Sequence, residues 1–370
     1  MHPQSRSLAI DVLRGMTLAL MIVVNMSIGP GDSYPPLLHA DWHGFTLTDS
    51  VFPTFLFAVG ASMAWTLEKY QRLGDADLLR KVLTRTALIF LCGYLLYWFP
   101  FFGTRADGSF GLLPLSHTRI PGVLQRIAVT YGAAALLLTY LKPRTVGVIA
   151  VLALLVYWGL LAHFGDYTLT GNAALKVDLA VFGPDHLYHG EGIAFDPEGL
   201  LSTLPALVNV LAGYFAARYV REGRAGFDTV ARLVAVGVIC LLLAVAWNTV
   251  LPINKKLWTS SYVLCTVGVD LLVYAALVAV IDLLGIRGWT HFFEVFGRNT
   301  LFIYLLSEVG NTVLVLTHVG DRSTFLWLWQ EAFVPWAGRL NGSLLYSVAY
   351  MLCLWLVAYG MDKRRIYIKL

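Results

Sequence analysis

Long apolar stretches, separated by Pro, Gly and clusters of charged residues, run through the whole chain. Each has about the 20 residues that an α-helix needs to cross a bilayer. We place them at 8–28, 47–67, 82–102, 121–141, 145–164, 200–220, 229–250, 261–284, 292–312 and 342–361. The sequence therefore predicts one all-α, polytopic membrane domain, residues 1–370, built as a bundle of about ten transmembrane helices.

Composition excludes several other classes of protein. Only 14% of the residues are charged and 58% are hydrophobic, whereas a soluble domain has about 25% charged residues. The net charge of +4 comes without the basic stripe that nucleic acid requires, so we predict no nucleic-acid partner. The four cysteines lie inside apolar runs, without a CxxC pair or a histidine at metal-ligand spacing. We therefore predict neither a metal site nor a disulfide scaffold.

Lysine and arginine are distributed unevenly between the two sides of the predicted bundle. Alternate connections, together with both chain ends, carry most of these cations, and such segments face the cytoplasm. The extracytoplasmic connections lie at 29–45, 104–119, 165–199, 251–260 and 316–341. We expect these loops to fold together as a cap over the bundle, and the sequence leaves open whether an extra short helix lies near 324–337.

The first predicted helix and the loop after it contain the densest group of polar residues. Asp11 and Arg14 share one helical face, where they can pair near the cytoplasmic end and anchor the bundle. Asn25 follows three helical turns after Arg14, so it reaches the outer end of much the same face.

The loop that follows contains candidates for acid–base chemistry. His39 and His43 flank Trp42, and Asp49 begins the second helix. Histidine is the side chain best suited to accept a proton near neutral pH, and the amide of Asn25 can donate to a developing oxyanion. A histidine in a loop is more often only a surface residue, so chemistry alone leaves a catalytic His39 open.

Five strings of the sequence together carry a specific resemblance. They read, in order, SLAIDVLRGMTLALMIVVN, LLHADWHGFTLTDSVFPTFLFAVGASM, RIPGVLQRIAVTY, DPEGLLSTLPALVNVLAG and LPINKKLWTSSYVL. The chain thereby resembles the transmembrane N-acetyltransferases typified by heparan-α-glucosaminide N-acetyltransferase, from residue 7 to about 310. It is similar to the compact bacterial members, which lack the large luminal domain of the animal enzyme.

The resemblance implies a reaction and a location. The family moves an acetyl group from cytoplasmic acetyl-CoA, through the membrane domain, to an amino sugar on the far side, which in a bacterium is the outer side of the inner membrane. The family's active-site histidine falls on His39 and its helix-end asparagine on Asn25. The animal motif has Asn where this chain has His43, so we expect the acceptor pocket to differ there. A homodimer through lipid-facing helices is compatible with the resemblance.

The implied reaction assigns roles to these side chains. An amine attacks a thioester only when it is unprotonated, and the thioester oxygen must be stabilised as it gains charge. We expect His39, beside Asp49, to take the proton from the sugar amine or to accept the acetyl group itself, while Asn25 polarises the carbonyl. The sequence leaves direct transfer and an acetyl-histidine intermediate open.

Acetyl-CoA has a bulky anionic nucleotide, which cationic side chains near the membrane could hold. The predicted donor-binding residues are Arg14, Gln125, Arg126, Arg298 and Asn299. An arginine inside a membrane costs at least a few kcal/mol unless an acid or a phosphate offsets its charge. An internal ion pair and a bound ligand are therefore equally good explanations for a charged Arg126 within the membrane.

Polar residues of the outer loops are candidates to bind the acceptor sugar. The predicted set is Trp42, His43, Asp196, Glu198, Asn254, Lys255 and Trp258. Carboxylates could hold a cationic amino sugar and an indole could stack on its ring. The alternatives are ordinary helix capping by the acidic residues and an interfacial belt for the tryptophan.

Two other functions fit the same residues. A transporter for a small polar solute such as an amino sugar would use His39, Asp49 and Asp270 as binding or proton-relay groups. A subunit of envelope polysaccharide assembly would bind without catalysis. Acetyl-CoA-dependent acetylation of glucosamine, abolished in His39→Ala, separates the enzyme from both alternatives.

Overall fold

The computed structural model describes residues 7–71, 74–104, 108–223 and 226–368, and helices dominate these ranges. The helices are α1 Leu8–Asn25, α2 Leu47–Gln71, α3 Asp75–Trp98, α4 Val123–Tyr140, α5 Pro143–Phe164, α6 Ala173–Phe182, α7 Thr203–Glu222, α8 Phe227–Trp247, α9 Ser260–Leu277, α10 Thr290–Arg298, α11 Thr300–Leu316, α12 Thr324–Trp327 and α13 Val334–Lys363. Wider π-helical turns at Val278–Leu283 and Leu328–Phe333 extend α9 and join α12 to α13.

The remaining regular structure is small and lies in the connections. Two antiparallel hairpins pair β1 Phe102–Thr104 with β2 Phe110–Leu112, and β3 His318–Val319 with β4 Arg322–Ser323. Single 3₁₀ turns occur at Pro35–Leu37, Leu115–His117 and Pro184–His186. None of the sheets that the structure describes is large enough to form a separate layer.

The structure confirms an all-α polytopic membrane fold, because each predicted apolar stretch is helical over most of its length. Within the described ranges, seven helices are both long and apolar enough to cross a bilayer, or eight when the bent pair of α10 and α11 is counted as one span. Helices α3 and α7 have spanning lengths of 24 and 20 residues but are less apolar.

Three features of the helices depart from the sequence prediction. The ninth predicted stretch is broken, since α10 and α11 meet at 82° around Asn299. Helix α6, inside the predicted loop 165–199, was not predicted. The short helix near 324–337, which the sequence left open, is present as α12; it continues through a π-helical turn into α13, which kinks at Gly338 with φ of 77°.

Burial shows which helices form the centre of the bundle. Of the apolar window of α1, 67% is buried inside the protein, compared with 22% for α8. Helices α1 and α2 are therefore central, while α5 and α8 present most of their surface outward, as helices in contact with lipid do.

Helices α2 and α7 pack with their backbones in direct contact. A Cβ placed on Gly60 would collide with the backbone of Val210, and one on Gly213 would collide with the backbone of Phe57. Lipid tails are as apolar as leucine, so membrane helices associate through such close approach of small residues rather than through the hydrophobic effect.

Four of the five segments predicted to form a cap contact one another in one layer, which we call the loop layer (residues 26–46, 113–122, 166–202 and 251–259), and the fifth, 316–341, touches it where Arg339 pairs with Asp32. The backbone N–H of Gly44 donates to Ile253 O at 2.9 Å, and that of Ile120 donates to His186 O at 3.0 Å. The indole of Trp42 donates to Tyr167 O at 2.7 Å.

The predicted membrane orientation is based on the positions of lysines and arginines along the sequence. Some of these cations lie outside the described residues, namely Arg6, Arg72, Arg105, Arg224 and Lys369.

Candidate active site

His39 and Asp49 form a hydrogen-bonded pair where the loop layer meets α2. His39 Nδ1 lies 2.6 Å from Asp49 Oδ1. An ionised carboxylate only accepts hydrogen bonds, so the ring proton is on Nδ1 and the lone pair is on Nε2. The Asp49 side chain is 1% exposed and that of His39 is 46% exposed. The pair thus offers a basic ring nitrogen to the open side of the loop.

The local chain fold holds Asp49 in place. Its Oδ2 accepts the backbone N–H groups of Ala40 at 3.2 Å and Thr46 at 3.0 Å. The hydroxyl of Tyr262, from α9, donates to the Asp49 carbonyl at 2.6 Å. The Asp49 carboxylate is therefore bonded to the loop that carries His39 at both Ala40 and Thr46. These bonds hold His39 and Asp49 in a fixed position relative to each other.

The electrostatic surroundings keep His39 neutral. Burial lowers the pKa of His39, and the positive charge of Lys255 lowers it further, while Asp49 and Glu198 oppose both effects. The net shift is downward from 6.5. A neutral imidazole at pH 7 can accept a proton or act as a nucleophile.

Lys255 and Glu198 reach this region from two other loops. Lys255 Nζ lies 3.6 Å from Glu198 Oε1. Burial alone would raise the pKa of Glu198, but the charges of Lys255 and Arg119 outweigh it and hold that pKa at about 2. In the same turn, the amide of Asn254 lies 3.3 Å from His43 Nδ1. The structure therefore brings Lys255 and Glu198 within electrostatic range of His39 and pairs Asn254 with His43.

Arg119 is a central residue that the sequence analysis missed. Its guanidinium donates to both carboxylate oxygens of Asp196 at 2.8 and 2.7 Å and to Glu198 Oε2 at 2.7 Å. The rings of Tyr97 and Tyr188 lie on it, at 4.8 and 4.9 Å. Arg119 is the first residue of the string RIPGVLQRIAVTY, and its place in that string is the sequence feature that could have identified it as a candidate.

Arg126 lies in the first turn of α4, beside the loop layer, and is 2% exposed. One guanidinium nitrogen donates to the carbonyls of Pro197 and Gly199 and to the hydroxyl of Ser202. Its other two nitrogens have no partner among the described residues. The guanidinium lies 4.7 Å from the ring centre of Trp258, which is fully buried. Trp258 is thus a packing partner for Arg126 in this structure.

Gln125, next to Arg126, is 3% exposed, and neither atom of its amide has a hydrogen-bond partner among the described residues. The amide lies over Gly93 of α3, where a Cβ would collide with it. A buried amide without a partner costs about 1–3 kcal/mol. A ligand with its own polar groups would remove that cost.

Asn25 ends α1 and donates to Glu308 Oε1 of α11 at 2.8 Å. An asparagine amide carries two N–H donors, so one remains for a ligand. One turn before Glu308, Tyr304 lies within electrostatic range of Glu198 and Arg119. Helix α11 therefore connects the surroundings of Asn25 with the cluster of charges beside His39.

The other predicted donor residues lie apart from this cluster. Arg14 lies 3.7 Å from Asp11, as the helical spacing predicts, and donates to Thr300 Oγ1 at 3.1 Å. Arg298 pairs with Asp362 at 2.7 Å. Asn299 bonds the backbone of the C-terminal segment at Ile366 and Ile368. Arg14, Arg298 and Asn299 thus meet at the break between α10 and α11, and donor binding there stays a prediction.

The comparisons with known proteins all point to the same family. The model of the family "Heparan-alpha-glucosaminide N-acetyltransferase, catalytic" matches residues 6–242. The human protein named heparan-alpha-glucosaminide N-acetyltransferase is 30% identical over 83% of this chain and 53% of its own length. Its mouse counterpart is 29% identical over 82% of this chain and 54% of its own length. The chain spans about half the length of these relatives.

Proposed function

Because the chain belongs to the heparan-α-glucosaminide N-acetyltransferase family, we propose that it transfers an acetyl group from acetyl-CoA to the amine of a glucosamine-type sugar. The observation that carries this proposal is the hydrogen bond between His39 Nδ1 and Asp49, 2.6 Å long. It leaves Nε2 of His39 as a base on the open side of the loop layer. General-base catalysis of this kind contributes about 10²–10⁴ to a rate.

The proposed chemistry assigns one role each to His39 and Asn25. Nε2 of His39 takes the proton that the sugar amine loses as its nitrogen bonds to the thioester carbon, and the thiolate of coenzyme A leaves. The free N–H of Asn25 donates to the thioester oxygen as it gains charge. In the covalent version Nε2 attacks the thioester carbon first and the thiolate of coenzyme A leaves; the amine then takes the acetyl group from acetyl-histidine, and the Nε2 released in that step accepts the amine proton.

The acceptor site is formed by the loop layer around His39. The carboxylate of Glu198 is already bonded to Arg119 and lies beside Lys255. These two cations offset its negative charge, so it attracts a cationic sugar only weakly. Asn254 and His43 offer neutral hydrogen-bonding groups for sugar hydroxyls. The acceptor therefore binds best as the neutral amine, which is also the form that reacts.

The donor runs along the bundle. Its anionic nucleotide lies at the helix break with Arg14 and Arg298, and its pantetheine arm extends toward His39. The unpartnered amide of Gln125 and the free nitrogens of Arg126 supply hydrogen bonds to polar atoms of the arm. With both termini in the cytoplasm, in a bacterial inner membrane, acetyl-CoA enters from the cytoplasm and the sugar is acetylated outside. The protomers form a homodimer through lipid-facing helices.

The test is acetylation by the purified protein in nanodiscs, with acetyl-CoA labelled in the acetyl group and glucosamine as acceptor. We expect product from the parent chain and at least about a hundredfold less from His39→Ala and Asn25→Ala. His189→Ala is the matched control, because His189 is an exposed histidine of the same loop layer. Absence of product from the parent chain, or equal activity in His39→Ala, contradicts the proposal.

Two further measurements separate the alternatives. Label that the parent chain retains after quenching without acceptor, and that His39→Ala does not retain, identifies acetyl-histidine; no label on the chain under any quench identifies direct transfer. Glucosamine uptake into vesicles that lack acetyl-CoA, unchanged in His39→Ala, identifies a transporter instead.

A further inference from the structure

A basic cavity lies at the N-terminal part of α3, away from the His39 cluster. It has a volume of about 430 Å³, and its polar lining consists of Tyr70, Asp77, Arg80, Lys81, Thr84 and Arg85. Three cations thus face one carboxylate. No described carboxylate lies within ion-pair distance of Arg80, Lys81 or Arg85, so their charge remains available to a ligand.

Aromatic rings hold two of these cations in place without neutralising them. Lys81 Nζ lies 5.3 Å from the ring centre of Tyr70 in α2. The Arg85 guanidinium lies 4.9 Å from the ring centre of Tyr131 in α4, and its buried Nε has no described hydrogen-bond partner. Cation–π contacts fix position while leaving the charge intact, so the cavity is pre-organised for an anion.

A second, apolar groove lies further along α3, and it shares no lining residue with the cavity. Its volume is about 710 Å³, and its lining includes Leu83, Ala87, Phe90, Leu91 and Tyr94. The groove opens on the outside of the bundle, since Leu83 is 51% exposed and Leu91 is 49% exposed. It therefore faces lipid, and its lining residue Leu83 lies three residues after Arg80, on the neighbouring helical turn.

We propose that the cavity and groove together bind one anionic phospholipid, with its phosphate on Arg80, Lys81 and Arg85 and an acyl chain in the groove. Charge complementarity and the adjoining apolar surface both match such a molecule. The proposal does not rest on acetyl transfer, because none of these residues contacts the His39 cluster.

Two other occupants fit the surface less well. The pantetheine arm of coenzyme A carries amides, which would lose hydrogen bonds in this apolar groove. A second copy of the chain, related by a two-fold axis through α3, would place the same three cations opposite one another. Repulsion between them would oppose that contact.

Native mass spectrometry of the full chain in detergent tests the proposal, with phosphatidylglycerol and phosphatidylcholine of identical acyl chains as probes. We expect one phosphatidylglycerol to bind at least about tenfold more tightly than phosphatidylcholine. Each of Arg80→Gln, Lys81→Gln and Arg85→Gln is expected to weaken binding about fivefold, the usual effect of one basic residue at a membrane surface. The pair Lys142→Gln and Arg144→Gln, exposed cations at the start of α5, is the matched control and leaves binding unchanged.

The groove has its own test. Ala87 is exposed on α3, so Ala87→Trp fills the groove without disturbing the core and is expected to weaken phosphatidylglycerol binding at least about fivefold. Equal affinity for both lipids, loss of binding in the α5 control, or stoichiometric displacement of the lipid by coenzyme A overturns the proposal. A dimer whose formation excludes the lipid also overturns the proposal.

Discussion

Asparagine in place of Asp49 would reverse the tautomer of His39. In the structure Oδ2 accepts the backbone N–H groups of Ala40 and Thr46, and Oδ1 accepts from His39. An asparagine has one acceptor oxygen, which the two backbone donors hold at the Oδ2 position. Its NH₂ group then faces His39 Nδ1, which must present a lone pair. The ring proton moves to Nε2, and the base is lost.

The magnitude of this effect follows from the role of the base. Loss of general-base catalysis costs about 10²–10⁴ in rate, and a histidine held in the wrong tautomer costs about 10⁴ in the well-studied serine-protease triad. We therefore expect kcat to fall by at least about a thousandfold in Asp49→Asn. The two backbone hydrogen bonds persist in weaker, neutral form, so the loss of stability is limited to about 1–3 kcal/mol.

Labelled acetyl transfer to glucosamine at saturating acceptor, with thermal unfolding of the same samples, measures both quantities. Asp41→Asn is the matched control, because Asp41 is an exposed carboxylate of the same loop. A kcat of Asp49→Asn within about threefold of the parent chain would refute the assignment of the base. A kcat that falls equally in both variants would show a general effect of charge in the loop.

Three further predictions concern the same cluster. The rate is expected to rise with pH as His39 loses its proton, with a midpoint below 6.5 because burial and the charge of Lys255 lower its pKa. Lys255→Met should move the midpoint of the kcat/KM profile, which reports groups of the free protein, to higher pH, and an unchanged midpoint would exclude that influence. Arg119→Met leaves the fully buried carboxylate of Asp196 unpaired and should lower the free energy of unfolding by about 3–5 kcal/mol, measured against Arg119→Lys in denaturant titrations. Trp258→Ala removes a fully buried indole and should cost about 3–5 kcal/mol, with Trp258→Phe recovering part of the lost thermal stability.

The sequence predicted the helices well because each one depends on local composition. A stretch of about 20 apolar residues has few alternatives to a helix in a bilayer, since every backbone N–H and C=O must be bonded within the segment. The break between α10 and α11 escaped prediction because Asn299 is stabilised by Ile366 and Ile368 of the C-terminal segment. The sequence of residues 292–312 by itself does not indicate these contacts with the distant C-terminal segment.

The candidate site was predictable where its parts are neighbours in the chain. His39 and Asp49 are ten residues apart and meet through one short loop. Arg119 was missed because its partners Asp196 and Glu198 lie more than 70 positions away. Their pairing appears only when two loops pack together.

The sequence by itself determined the membrane fold, the positions of the helices and the local pair of His39 and Asp49, because hydrophobicity and short-range geometry act along the chain. Only the tertiary structure decided the electrostatic setting of that pair. The charges of Lys255 and Glu198 come from separate loops, and interactions between charges depend on distance in space rather than in sequence. Packing of the loop layer is what brings those charges within range of His39.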